Sequence, residues 1–377
     1  MQLDYIHLHQ KALVADLHCD TALQIQRGYD FSKRHNTYHI DLPRLKEGGI
    51  NLQVFACFLN SNILPQSRFD YVNNMISRLK TEIAKNENNI AICHNTTEAN
   101  DIIDSGRIAA FLGIENGMAL DNKLENIAYF YQQGIRYITL THFISHEWCI
   151  SSMDKNPAFD GLTDFGREVI REMNRIGMIV DVSHISVSAF NEVLKVTRQP
   201  VIASHSCVYA LCPHNRNLTD EQLKTLAENG GMVGINFCSD FLSPQFMQAS
   251  QAYRDAHPQE IKILEKILIP DLSEDDYQKK LKELEPFLSQ WDKAVKNMLP
   301  TVKTVVDHID YVVDLVGVDY VGLGSDFDGI SYPPQDLADC SMVPNITREL
   351  VKRHYTESDI EKILGGNFMR VFKLVCG

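Results

Sequence analysis

Eight short runs of apolar and β-branched residues, spaced by amphipathic stretches, constrain this chain more than any other feature. They are Leu13–Leu17, Asn51–Phe58, Ile108–Ile114, Tyr137–Leu140, Met178–Val182, Val201–Ala203, Met232–Ile235 and Tyr320–Leu323. Each is too short for a buried helix and reads as a strand. Between them, helical periodicity covers Asp70–Lys85 and Phe165–Arg175, the latter stopping at Gly177. Another helix opens at Thr219, an N-cap with Gln222 at the third helical position, and ends at Gly230–Gly231. Strands alternating with helices form βαβ units and a parallel sheet. Eight of them predict an α/β protein of one closed (β/α)8 barrel, the TIM barrel architecture, rather than an open doubly wound sheet. At 377 residues the chain fits one such unit, so residues 1–377 read as a single catalytic domain.

The residues immediately after each strand narrow the chemistry. The first strand runs into His18-Cys19-Asp20, the third into Glu115, the fourth into Thr141-His142, the fifth into Ser183-His184, the sixth into Ser204-His205 and the eighth into Ser325-Asp326-Phe327-Asp328. Barrel enzymes build their sites at these C-terminal strand ends, from several strands at once. Loops are polar in general, but that alone predicts Ser, Asn, Lys and Gly there as often as ligands. Four of the fourteen histidines at equivalent positions is a different pattern.

His18 and Asp20, two apart on an extended strand end, project to one side and suit one metal, while Cys19 faces away. His184 and His205 come from adjacent strands and suit a second, with Glu115 placed to bridge through its two oxygens. Imidazole and carboxylate without thiolate favour zinc or a similar divalent ion, two per chain. Ions held about 3.5–4 Å apart can share a bridging hydroxide, which is hydrolytic chemistry. Asp326 is then the candidate acid/base that moves the proton of that water to a leaving nitrogen. His142 is the candidate donor to the tetrahedral oxyanion. Arg216 offers a guanidinium fork for a terminal carboxylate, against the commoner fate of pairing with a nearby acid. Asp328 reads as a turn residue, and the remaining histidines, His146 and His214 included, as structural or surface groups.

Charge and cysteine usage exclude other classes. With a net charge of −13 and no basic run, neither nucleic acid nor an anionic membrane surface is an expected partner. Nine cysteines lie singly with no C-x-x-C pair, which argues against a disulfide framework. The opening residues, Met1–Gln10, lack the pattern of a secretory signal, and no stretch is apolar enough to span a bilayer. A cytoplasmic location is the expectation, and the three N-x-S/T sequons (Asn95, Asn217, Asn345) read as chance matches.

With these residues assembled, the sequence resembles the renal (membrane) dipeptidase family of zinc metallopeptidases. The matching segments are ADLHCDT, GIEN, YITLTH, GLTDFGREVIREMNRIGMIVDVSH, PVIASHS, HNRNLTD, VGLGSDFDG and GGNFMRVF, in order from about residue 13 to about residue 374. The resemblance implies a (β/α)8 barrel, two zinc ions and cleavage of dipeptides. It implies His18, Asp20 and Glu115 on one zinc, with Glu115, His184 and His205 on the other. His142 and Arg216 become substrate contacts and Asp326 the acid/base. The loop after His142, Phe143-Ile144-Ser145-His146-Glu147-Trp148-Cys149, departs from the asparagine-containing run expected there. Residues 240–301 form an insertion between the seventh and eighth strands, with helices expected at Pro258–Leu268 and Glu274–Leu288. It reads first as a solvated helical layer, with a lid or a homodimer contact as functional alternatives. Two rival readings stand beside the dipeptidase. An amidohydrolase of lactonase or deacetylase type commonly opens with H-x-H and bridges its metals with a modified lysine, whereas this chain has H-x-D and Glu115. A non-catalytic metal- or peptide-binding module predicts a lost ligand, whereas every position is filled.

Overall fold

Parallel pairing closes the sheet on itself. The computed structural model describes residues 4–62, 67–267 and 272–377. Its strands are β1 (Ala15–Asp16), β2 (Leu52–Phe58), β3 (Ile90–Ile92), β4 (Ile108–Glu115), β5 (Ile135–Thr139), β6 (Ile179–Asp181), β7 (Ile202–Ser206), β8 (Met232–Ile235) and β9 (Val321–Leu323). β1 pairs with both β2 and β9, and β2 pairs directly with β4, so eight strands form a ring in the order β1-β2-β4-β5-β6-β7-β8-β9. The chain is a (β/α)8 barrel, as its sequence pattern predicts.

β3 is the strand that pattern leaves out. It pairs with Ile108–Ala110 of β4, on the edge that β5 occupies from Leu112 onward. Three residues set among asparagines present no alternation to read. Expected strands shift at their ends as well: the first shortens to Ala15–Asp16, the fourth becomes Ile135–Thr139, and the sixth extends through Ser206 and so includes His205.

Local signals hold the surrounding helices. Thr163 caps the helix Asp164–Ile176 by accepting from the Gly166 amide, and Gly177 ends it at φ 80°, where a side chain would also meet the Val375 carbonyl. Thr219 and Gln222 form the expected capping box on Asp220–Glu228. In the insertion, helices cover Ser239–Leu242, Pro244–Ala256, Pro258–Ile267, Glu274–Glu283 and Glu285–Val295. The expected helix Glu274–Leu288 is two: Pro286 cannot continue a helix interior, so the first ends at Glu283 and a second begins at Glu285 with the proline in its first turn. Leu268, the expected end of the preceding helix, lies outside the described residues. This layer has a small core of its own, Phe246, Phe287, Trp291 and Val295.

The interior of the barrel is apolar at its base. Residues at or near the strand starts, including Leu52, Ala109, Ile179, Ile202 and Met232, pack with Phe368, Val371 and Phe372 of the helix Asn367–Cys376. The Phe111 ring sits 5.4 and 4.9 Å from those of Phe368 and Phe372. That helix closes one end, so any site within the barrel opens at the other, where the strands finish. The cysteines are all free, and no helix among the described residues is long and apolar enough to cross a membrane.

Candidate metal centre

The strand ends converge. Glu115 is the last residue of β4, His205 lies within β7, and His18, His142, His184 and Asp326 follow β1, β5, β6 and β9. Pairing continues past β1 and β9: the Asp326 amide donates to the His18 carbonyl, and the Asp20 amide to that of Phe327. His184 (φ 69°), Asp326 (φ 61°) and Asp328 (φ 68°) sit in the left-handed region that non-glycine residues avoid. Such conformations persist where surrounding contacts over-determine them, and they cluster at functional sites.

Glu115 is central. Its Oε2 lies 3.6 Å from His18 Nε2, while its Oε1 lies 3.0 Å from His184 Nε2, 3.4 Å from His205 Nε2 and 4.0 Å from His142 Nε2. The Nε2 atoms of His184 and His205 are 2.8 Å apart, and His18 Nε2 is 3.8 Å from Asp20 Oδ2. His18, Glu115 and His205, then Glu115, His142 and His184, then His18, Asp20 and Asp326 each bring one ligand atom within 4.8 Å of the others. Five of the seven are buried; His142 and Asp326 are partly exposed.

These residues fit divalent ions. His18 Nε2 and Asp20 Oδ1 are buried without a hydrogen-bond partner, an arrangement that costs free energy unless something else engages them. Burial pushes Asp20 up to about 8, helped by the charge of Glu115. Burial also disfavours a charged His18, but Glu115 and Asp20 outweigh it and hold its proton affinity well above normal. The space between these carboxylates therefore attracts a cation. Burial keeps His184, His205 and His142 below the usual histidine range, His142 at about 4, so all three are neutral near pH 7 with a lone pair free.

A second layer of residues, unnoticed in the sequence, aims the first. Tyr137 Oη lies 2.9 Å from His18 Nδ1, and Ser204 Oγ lies 2.7 Å from His205 Nδ1. Buried Asp181 accepts from the Ser183 and Ser204 amides and from the Thr139 and Ser204 hydroxyls, joining β5, β6 and β7 beneath the site. Asp16 does the same for β9 by accepting from the Ser325 amide and hydroxyl. Asn236, after β8, accepts from the Cys238 amide and donates to Asp326 Oδ2 at 2.8 Å. Gly329 leaves no room for a β-carbon, which would overlap the carboxylates of both Asp20 and Asp326.

Arg216 is buried against the site. Its Nη2 donates to the His205 carbonyl at 2.9 Å and its Nε has no partner. Among the described residues it forms no ion pair, and burial lowers its proton affinity. Asp328 serves the turn: it accepts from the His39 amide and the Thr21 hydroxyl. His146 lies 2.8 Å from the Leu140 carbonyl, and His214 accepts from the Arg216 amide.

Comparison with known proteins bears on the family and the fold. The family model described as membrane dipeptidase (peptidase family M19) matches residues 4–376. Dipeptidase aclJ of Aspergillus oryzae is 31% identical over 345 residues, covering 88% of this chain and 69% of that protein. Dipeptidase tcpJ of Claviceps purpurea is 30% identical over 378 residues, covering 96% and 76%. Among solved structures, the probable dipeptidase PvdM from Pseudomonas aeruginosa superposes with a TM-score of 0.81 at 24% identity, covering 98% of this chain and 97% of that one. A metallo peptidase from Rhodobacter sphaeroides, liganded with a phosphinate mimic of the dipeptide L-Ala-D-Ala, superposes at 0.77 with 23% identity, covering 97% and 99%. These two likenesses bear on the fold. With the family match along nearly the whole length, they lead to one conclusion: the chain belongs to the membrane dipeptidase family (peptidase family M19) and is a metallopeptidase, a hydrolase of peptide bonds.

Proposed function

We propose that this chain, acting as one catalytic barrel, hydrolyses the peptide bond of dipeptides that carry a free C-terminal carboxylate. It does so at a pair of zinc or similar divalent ions. The observation that carries the two-ion reading is the division of Glu115: one oxygen faces His18, the other faces His184 and His205. His18 and Asp20 complete one side, and His184 with His205 complete the other. Bound there, two divalent ions supply a nucleophile from water at neutral pH and Lewis-acid polarisation of the scissile carbonyl.

The chain's own groups do the rest. Asn236 occupies Asp326 Oδ2, which leaves Oδ1 to take a proton and deliver it to the leaving nitrogen. His142, neutral and partly exposed beside Glu115, donates a hydrogen bond to the oxygen that becomes negative at the tetrahedral stage. Arg216, buried with an unused Nε–H, pairs with the substrate's terminal carboxylate and sets its register. Relatives named as dipeptidases, and the phosphinate dipeptide mimic in the Rhodobacter protein, support the substrate class.

The test is a panel of L,L and L,D dipeptides, with C-terminal amides and simple lactones as controls, before and after chelation. Free dipeptides should be cleaved, activity should vanish on chelation, and zinc should restore it with about two ions per chain. Cleavage of lactones but no dipeptide, or dipeptide cleavage indifferent to metal, would sink the reading.

A further inference from the structure

The loop after β5 sets an aromatic ring beside the site. Phe143 is 45% exposed, yet its ring centroid lies 4.3 Å from that of His142 and 5.2 Å from that of His184. Phe58, the last residue of β2, meets His142 edge-on at 4.7 Å. The imidazole proposed to face the reacting oxygen is thus flanked by two phenyl rings. Ile144, next in the chain, is 52% exposed.

Single exposed apolar side chains are ordinary and need no explanation by themselves. This one differs because the chain on either side of it is held. The Ser151 hydroxyl donates to the His142 carbonyl at 2.6 Å, the Thr141 hydroxyl donates to the Ile144 carbonyl, and the Ser151 amide donates to the Ser145 hydroxyl. Beyond it, Trp148 is buried and anchors the loop against Gly117. A ring on so constrained a loop keeps its place against the imidazoles. Within Phe143–Cys149 the one carboxylate, Glu147, lies 3.5 Å from Arg68.

We propose that Phe143, with Phe58 behind His142, forms a side-chain subsite selecting an aliphatic or aromatic substrate residue, and that Phe143 determines this specificity. The inference rests on the dipeptidase reading. Apolar area removed from water between the ring and the substrate side chain favours larger hydrophobic residues, whereas a charged one loses solvent without gaining a partner.

Two dipeptide series, Xaa-Gly and Gly-Xaa, with Xaa as Gly, Ala, Leu, Phe, Asp and Lys, test this on the metal-replete enzyme. In one series the wild type should favour Leu or Phe over Gly in kcat/KM by roughly tenfold or more, the scale of discrimination a hydrophobic pocket reaches. In Phe143→Ala that ratio should fall by about tenfold, and Phe143→Leu should keep most of it. The ratio is internal to each preparation, so a general loss of folded enzyme does not move it. An active wild type whose ratios are unchanged by Phe143→Ala in both series overturns the subsite and leaves the dipeptidase reading intact. A wild type inactive on every member overturns both.

Discussion

Asp326 shows how much one residue depends on its neighbours: a left-handed backbone, an amide donor from Asn236 and a glycine without which its carboxylate would not fit. Replacing it with Asn keeps the shape but removes the proposed proton carrier. Asp326→Asn should bind about two metal ions per chain by elemental analysis while kcat falls by roughly 10²–10⁴. Retained turnover would assign proton transfer elsewhere. Arg216→Ala should act on binding instead, raising KM for free dipeptides with a loss of about 2–5 kcal/mol. Equal wild-type rates on free and C-terminally amidated dipeptides would remove the carboxylate clamp. The convergence of His18, Glu115, His184 and His205 was legible because residues at strand ends are a positional pattern. Tyr137, Asp181 and Asn236 were not, because their roles depend on which side chain the neighbouring strand presents, and Tyr137 reads as ordinary core until His18 is placed beside it.

Between elements, buried polar side chains act as ties. His308, on the helix Val302–Val316, accepts from the Val208 amide after β7, and its Nε2 donates to the Leu242 carbonyl at the start of the insertion. Burial lowers it to about 4. Its neutral form is therefore favoured in the fold, and its contribution is complete above the unfolded value near 6.5. Below that the unfolded chain takes up the proton first, so stability drops by up to about 3 kcal/mol as pH approaches 4. Denaturant midpoints measured from about pH 4.5 to 7 should fall more steeply for the wild type than for His308→Gln, and parallel curves would show that another group carries the acid sensitivity. Sequence legibility at this scale followed signal strength. Thr219 with Gln222 carried a complete capping pattern, whereas Ile90–Ile92 was too short to show a period. At Glu274–Leu288 the apolar spacing ran on through Pro286, and the backbone restriction of the proline prevailed.

For the whole molecule, alternation of eight strands with helices was enough to specify a ring, because parallel neighbours need crossovers and a ring leaves no exposed edge. The floor of that ring was not visible in the pattern. The helix Asn367–Cys376 shares one apolar cluster with residues as early as Ala15 and Leu17, and the Gly377 carbonyl accepts from the Thr96 amide and hydroxyl. This arrangement imposes an order on biosynthesis. A chain growing from its N-terminus exposes its ligand-bearing strands and their apolar undersides long before the segment that seals them has been made. Until then the half-built barrel offers unpaired strand edges and open hydrophobic surface, the features that recruit chaperones and promote aggregation. A truncation before residue 367 would leave every candidate site residue encoded and still yield a barrel without its floor.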